Sequence, residues 1–374
     1  MTSGPTASDG YVWALGLMSG TSLDGVDVGL IETDGETVRG FGPSLTVELA
    51  KADRKVIRKA TRRALRWNFD GPPPNVFAHA EEVVDRVHVE AVEAFADRHP
   101  DDFAKVEVIG YHGQTVLHRP PEPGERRTVQ LGRGQALADR FGVPCVSDFR
   151  SNDMVHGGQG APLAPVYHRA LVGEREGLAV INLGGVGNVT VFAPEFLASD
   201  TGPANGPLDQ WAKRHSKAFD RDGRWSMQGT PDFARVERWL EGAFFRRPVP
   251  RSADRYDFDV LGEMAGMKKK NGAATLAAFA ALGAARTIRD MDAGVERLVV
   301  CGGGRRNWAM MAMLREAVGA EVVPAEAMGW DGDALEAQAF AFLAVRSLRG
   351  VAISYPGTTG VREAVSGGVV AWPR

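Results

Sequence analysis

Asp200, in the run SDTGPAN at Ser199–Asn205, is a carboxylate placed for proton transfer. It closes an apolar stretch and precedes Thr-Gly-Pro, which predicts a strand terminus facing a cleft, where one carboxylate can act as a general base. An N-cap or turn aspartate would have the same local sequence. Glu336, in GDALEAQAF at Gly332–Phe340, is a second isolated carboxylate whose plainer role is the solvent face of a helix. HGQT at His112–Thr115 and DFRSND at Asp148–Asp153 complete this polar set. His112 reads more readily as a hydrogen-bonded histidine at a strand end than as a catalyst.

A second chemistry lies in two glycine-rich turns between apolar runs, LGLMSGTSLDGVDVGLIE at Leu15–Glu32 and VINLGGVGNVTVF at Val180–Phe192. Val, Ile and Leu on the flanks and Gly and Ser between them predict strand, tight turn, strand. Backbone N–H groups at such a turn can approach phosphate oxygens closely. In the first turn Gly20, Thr21 and Ser22 offer backbone and hydroxyl donors, while Asp24 and Asp27 offer carboxylates of the kind Mg²⁺ takes through one or two acidic ligands. A plain hairpin with Asp-Gly at its turn remains an equal alternative. VCGGGRRNW at Val300–Trp308 is a third feature, an apolar strand running into Gly302, Gly303 and Gly304, with Asn307 able to cap the following helix. Three glycines in a row favour close approach of a nucleotide over a tight turn alone. GxxxxGK[ST] is absent, which excludes a P-loop, and GxGxxG is not matched.

The elements that must position these groups alternate between strand and helix. After the first hairpin the pattern predicts an extended region to about Leu49, helices near Ala50–Leu65 and Val76–Arg98, and strands near Val106–Tyr111 and Thr128–Leu131. A helix to Phe141 and a strand at Pro144–Ser147 follow. The second half predicts helix Ala273–Met291, strand Arg297–Cys301, helix Trp308–Val318, strand Glu321–Val323 and helix Ala334–Leu348. This order implies an α/β fold with mixed or parallel sheets covered by helices. The crossing between halves is expected near Gly157–Leu171, with a return through the last helix.

Composition narrows the class. A chain of 374 residues most naturally forms two domains. A formal charge of −3 without a Lys/Arg block argues against nucleic acid or an anionic membrane as partner. The two cysteines, Cys145 and Cys301, each lie in an apolar run, so a disulfide framework is not expected and a cytoplasmic location is. The first ten residues read as a polar tail and not as a signal peptide, and no apolar stretch is long enough to span a bilayer.

Seven blocks, GLMSGTSLDGVD, HGQT, DFR with GGQGAPL, NLGGVGNVT, DTGPAN, CGGGRRN and GDALEAQAFAFLA, occur in the order seen in the anhydro-N-acetylmuramic acid kinases. The chain resembles that family from about Leu15 to the final TTGVREAVSGG, and through it the acetate and sugar kinase, Hsp70 and actin superfamily. The resemblance implies two ribonuclease-H-like (actin-like ATPase) domains with an inter-domain cleft, spanning 1–165 and 166–350, with 351–374 packing back on the first. It implies ATP bound by Gly20, Thr21, Ser22, Leu23, Asp24, Gly25, Val26 and Asp27, by Gly184, Gly185 and Asn188, and by Gly302, Gly303, Gly304 and Asn307. Mg²⁺ would sit by Asp24 or Asp27, the sugar by Gln114 and Arg150, and catalysis would use Asp200 as base with Glu336 at the sugar. The reaction implied is hydrolysis of the 1,6-anhydro bond of 1,6-anhydro-N-acetylmuramic acid joined to phosphorylation of O6, in peptidoglycan recycling, by a homodimer.

The chain departs from the family pattern in two places. Ala204 stands where a glycine is common, which is expected to tighten the turn after Asp200, and Ser151 and Asn152 stand where further arginines often follow DFR. Alternatives on the same residues are a kinase for another sugar or a small carboxylic acid, a non-catalytic nucleotide switch, and an ATP-independent hydrolase with Asp200 and Glu336 as its carboxylate pair.

Overall fold

The computed structural model describes residues 10–119, 128–173, 175, 177–192, 196–253 and 255–374. The chain divides into two compact units, one of Met1–Gly173, Ala334–Pro356 and Val361–Arg374, the other of Glu174–Asp333 and Gly357–Gly360. These boundaries differ from the expected domains in three places, the first being that the first unit runs on to Gly173 and so keeps residues 166–173. The helix expected to close the second domain belongs with the first unit, because it packs on that unit's sheet. Gly357–Gly360 goes with the second unit, where Gly357 lies against the Phe196 carbonyl.

In the first unit the elements run β1 Val12–Ser19, β2 Gly25–Thr33, β3 Val38–Glu48, α1 Lys51–Trp67, α2 Val76–Arg98, α3 Pro100–Phe103, β4 Val106–His118 and β5 Thr128–Leu131. Then come α4 Gly134–Phe141, β6 Cys145–Ser147, α5 Ser151–Val155 and α6 Pro165–Val172. The second unit holds β7 Leu178–Leu183, β8 Val186–Val191, β9 Leu197–Pro203, α7 Asn205–Arg214, α8 Phe233–Leu240, α9 Ala243–Arg246, α10 Lys269–Asp290, β10 Arg297–Cys301, α11 Trp308–Val318 and β11 Glu321–Pro324. The chain then returns to the first unit through α12 Leu335–Leu348 and the edge strand β12 Val369–Ala371.

The first sheet has the order β12-β6-β4-β1-β2-β3, with β5 paired to β4, and the second has β11-β10-β7-β8-β9. In both, an antiparallel three-strand meander is followed by parallel strands joined through helices: β1 is antiparallel to β2 and parallel to β4, as β7 is to β8 and β10. The two halves thus repeat one α/β plan.

A row of glycines sets how α12 meets the first sheet. Gly16 on β1 pairs with Gly29 on β2 and with Gly110 on β4. A Cβ at Gly16 would lie 1.7 Å from the Ala337 carbonyl oxygen, and one at Gly110 would lie 2.0 Å from that of Phe340. Without side chains on these strands the backbone of α12 lies almost directly on the sheet, which is why the helix is buried along most of its length. In the second unit alanine-rich α10 packs on β9 and β8 and shares one core with Ile181, Leu183, Val189 and Val191 of β7 and β8. Strand alternation turns Asn182 and Asn188 to the opposite face.

Two strands run further than expected. β4 continues to His118, so HGQT lies within a strand, with a bulge between Thr115 and Leu117. β9 continues through Pro203 past a register shift opposite Gly187 and Asn188, so Asp200 sits inside the strand and not at its end.

Candidate active site

In the second unit the register brings Cys301, Asn182, Asn188 and Asp200 into one row across β10, β7, β8 and β9. Asp200 is 7% exposed, its Oδ2 accepts from the Ala253 N–H at 2.7 Å, and its own N–H donates to the Arg251 carbonyl at 2.9 Å. Asn182 is buried, and the Oδ1 atoms of both Asn182 and Asn188 are buried without a hydrogen-bond partner among the described residues. A buried polar atom left without a partner costs about 1–3 kcal/mol, so the row holds unmet acceptor capacity beside a carboxylate.

The second glycine turn is clasped by the start of α7. The N–H groups of Asn205 and Gly206 donate to the carbonyls of Gly184 (2.8 Å) and Gly185 (3.0 Å), and the Asn205 side chain donates to the Leu183 carbonyl at 2.8 Å. Ala204, at the position where a glycine is common, has a φ of −123°, outside the left-handed region, and its N–H donates to Gly185. An alanine there meets no left-handed strain.

The triple glycine divides its work. Gly302 has a φ of +71°, and a Cβ there would lie 2.2 Å from Asn182 Oδ1; at Gly304 it would lie 2.5 Å from Leu183 Cβ. Packing against β7 therefore accounts for these two. Gly303 is exposed, with nothing nearer than 3.6 Å to an added Cβ, so it alone leaves backbone open to a ligand. Asn307 caps α11 as expected, its Oδ1 accepting from Met310 N at 3.1 Å.

The sequence reading missed Arg305. It is 8% exposed and donates to the Gly302 carbonyl at 3.0 Å, to Asp333 at 2.8 Å and to Glu326 at 2.8 Å. Burial disfavours its charge, but hydrogen bonds to Asp333 and Glu326 outweigh burial, and the guanidinium's pKa is raised. Gly332 must lack a side chain because a Cβ there would lie 2.4 Å from Arg305 Nε. The RR pair after three glycines was the available signal, and its reading needed the two acids more than twenty positions downstream.

In the first unit the first glycine turn closes through Leu23, whose N–H donates to Gly20 at 3.2 Å. Leu23 has a φ of +61°, strained for a branched side chain, and is held there by burial of that side chain in the core. Val26 is fully buried too, so Leu23 and Val26 can offer a ligand only their backbone. Thr21 and Asp24 are exposed, Ser22 half-buried and Gly25 buried. Gln114 reaches the turn, its Nε2 at 3.4 Å from the Gly20 carbonyl, while its Oε1 is buried without a partner among the described residues.

Arg150 is placed as a strut. Its Nε and Nη2 meet His112 Nε2 at 3.2 and 3.0 Å, and Nη1 donates to the Gly160 carbonyl at 2.8 Å. His112 Nδ1 in turn lies 2.8 Å from the Gly113 carbonyl, and the ring packs on Phe340. Burial first and the Arg150 charge second hold His112 well below the usual histidine range, so it is a neutral acceptor for Arg150. Glu336 is half-buried in the first turn of α12.

Asp24 and Asp27 present oxygen donors of the type Mg²⁺ takes, and Asp27 accepts from Thr46 Oγ1 at 2.7 Å. Among the described residues no group of three or more His, Cys, Asp or Glu is arranged to hold a metal ion. Two carboxylates fit an ion that keeps most of its waters. No helix among the described residues is long and apolar enough to cross a membrane.

A family model described as anhydro-N-acetylmuramic acid kinase matches residues 12–373. A protein of that name from Bradyrhizobium diazoefficiens is 48% identical over 370 residues, covering 96% of this chain and 99% of the relative. One from Nitrobacter winogradskyi is 46% identical over 367 residues, with 96% and 99% covered. Among solved structures, the activator of the 2-hydroxyisocaproyl-CoA dehydratase from Clostridium difficile is similar over 91% of this chain and 97% of its own, at a TM-score of 0.42 and 15% identity.

Proposed function

We propose, for a chain that belongs to the anhydro-N-acetylmuramic acid kinase family, that it opens the 1,6-anhydro ring of 1,6-anhydro-N-acetylmuramic acid and phosphorylates the freed O6 in one coupled reaction. The observation that carries this reading is Asp200, a buried carboxylate on a strand flanked by a polar row and the second glycine turn. Asp200 takes a proton from water, the water oxygen bonds to the anomeric carbon, and the bond from that carbon to O6 breaks. O6 then attacks the γ-phosphorus, and the bond to the β-phosphate oxygen breaks to release ADP. The proton leaves Asp200 to solvent after turnover.

A positioned base contributes about 10²–10⁴ in rate, so alignment and electrostatic stabilisation supply the remainder. The reading gives phosphate oxygens the backbone donors of Gly20–Asp24 and of Gly184–Gly185, and gives the nucleoside the open backbone at Gly303, held by Arg305. Gln114 and Glu336 contact the sugar. Arg150, through its bonds to His112 and Gly160, keeps the sugar-side strand and loop in place. Mg²⁺, when bound, neutralises charge on the transferring phosphoryl group, and Asp24 and Asp27 are the residues we assign to it. Two buried cysteines outside any disulfide suit a reducing cytoplasm, and a homodimer belongs to the same proposal.

The test is ADP release from Mg-ATP with and without the anhydro sugar, with the product weighed by mass spectrometry. Sugar-dependent ADP and a product heavier by one water and one phosphoryl group are expected. Asp200→Asn is expected to fold as the wild type, since its amide oxygen can still accept from Ala253, and to lose about 10²–10⁴ in kcat. Residual turnover within tenfold of wild type would remove Asp200 from the role of base.

A further inference from the structure

The family resemblance places Asn188 among the nucleotide-gripping residues of the second glycine turn. We infer instead that Asn188 orients the attacking water for Asp200, an assignment that rests on the function proposed above. Asn188 and Asp200 are direct partners across β8 and β9. Directly opposed residues hold their Cβ atoms about 4.5–5.5 Å apart on one face of a sheet, a gap that one water can bridge. Asn188 Oδ1 is buried and has no partner among the described residues, whereas Asp200 already accepts one backbone N–H through Oδ2. Buried sites that hold a water offer it two to four polar partners. Here one water hydrogen goes to Asn188 Oδ1 and the other to the Asp200 carboxylate.

That arrangement has a chemical consequence. A water whose two hydrogens are both engaged by the protein presents its lone pairs away from the row, toward an electrophilic carbon. Loss of one proton to Asp200 then forms the new carbon–oxygen bond as the bond to O6 breaks, and the atoms balance as in the proposed reaction. Asn182, on the other side of Asn188, faces Gly302 closely and is the row's link to the triple-glycine turn. Asn188 therefore lies between the nucleotide-side turn and the base. Two neighbouring titratable groups are engaged elsewhere. Cys301 at the far end of the row donates its S–H to the Ile181 carbonyl, and the Arg251 guanidinium bonds Thr287 and Asp290.

The experiment compares wild type, Asn188→Ala and Asn188→Asp in full-length protein. It uses steady-state turnover of Mg-ATP with the anhydro sugar, calorimetric binding of ADP, and the pH dependence of kcat/KM. Asn188→Ala is expected to lower kcat about 100-fold, with ADP affinity unchanged within about twofold. Asn188→Asp sets a second carboxylate beside Asp200, which disfavours its ionisation, and is expected to move the acid limb of the pH profile up by about one unit or more. A side chain that only fills space would leave that limb where it is. Loss of ADP affinity with kcat preserved would overturn the inference in favour of nucleotide grip. An unmoved limb in the near-isosteric Asn188→Asp would overturn it even if the alanine variant failed to fold. Wild type lacking sugar-dependent ADP release would instead sink the proposed function itself.

Discussion

The five strands of the second sheet repeat the order of β6-β4-β1-β2-β3 in the first, and the position just before the end of β1 and β7 is where the two part. In the first unit that row is Met18, Asp27 and Thr46, and its polar members satisfy each other, Thr46 donating to Asp27 at 2.7 Å. In the second unit the same row is Asn182, Asn188 and Asp200, with two buried amide oxygens left without partners among the described residues. One plan used twice has kept a closed polar pair in one copy and an open one in the other. Open, buried acceptor capacity is costly in the free protein and is recovered only when water or a ligand arrives, so within this row the second copy is the one with acceptors left to fill.

The units also differ in how they answer acid, and this is the largest effect expected. His88, His112, His118 and His168 are all buried in the first unit. Burial depresses His88 to about 4 and His118 and His168 to about 3, and burial followed by the Arg150 charge puts His112 well below its usual value. A depressed folded-state pKa means that the unfolded chain binds the proton first. No stability is lost above about pH 6.5, and below it each histidine removes about 1.4 kcal/mol per pH unit until its own folded value is reached. The three with folded values of about 3 to 4 together give a slope of about 4 kcal/mol per pH unit between pH 6 and 4, and His112 adds in the same direction. Hydrogen exchange at pH 7 and pH 5 is expected to show first-unit strands losing protection while β7–β11 keep theirs. Equal loss in both units would remove this contrast.

Glycines sharpen the comparison next. Gly16→Ala drives a Cβ into the Ala337 carbonyl at 1.7 Å, where the obstacle is helix backbone that cannot rotate away. It is expected to cost at least about 3 kcal/mol, the upper part of the overpacking range, read as a fall in the midpoint of urea unfolding. Gly303→Ala has open space and is expected to change stability by less than about 0.5 kcal/mol. Its effect belongs in binding, with ADP affinity down about tenfold, or about 1.4 kcal/mol. A destabilised Gly303→Ala with unchanged ADP affinity would return the triple glycine to a purely structural turn.

What the sequence made legible follows from the range of the forces involved. Helix Val76–Arg98 and strand Arg297–Cys301 lie where the local pattern puts them, because apolar periodicity and breakers are local. The alternation of strands and helices and the two hairpins were readable for the same reason. The glycine row was not, since Gly16, Gly29 and Gly110 are separated in sequence and only strand register aligns them under α12. The return through the last helix was readable, but the same blindness hid the Arg305 network with Glu326 and Asp333. Asp200 was picked out by residue type and by resemblance, yet its surroundings were misread as a strand end. The bulge that carries β9 past it depends on pairing with β8, and no run of residues around Asp200 encodes that.

The smallest expected effect tests the closed row directly. Thr46→Val keeps the shape of the side chain and removes the hydroxyl that donates to Asp27. Thr46 is exposed and Asp27 half-buried, so water can replace the lost donor, and the cost should stay below about 1 kcal/mol. Turnover, and the Mg²⁺ concentration giving half-maximal kcat, should both stay within about twofold of wild type, since a rehydrated carboxylate still offers its oxygens to a hydrated ion. Asn188→Ala, in the same row of the other copy, is expected to cost about 100-fold in kcat. Were Thr46→Val to lose turnover on that scale, the donor to Asp27 would be part of the reaction. The first unit's row would then be as open to chemistry as the second's, and the division of labour between the two copies would have to be abandoned.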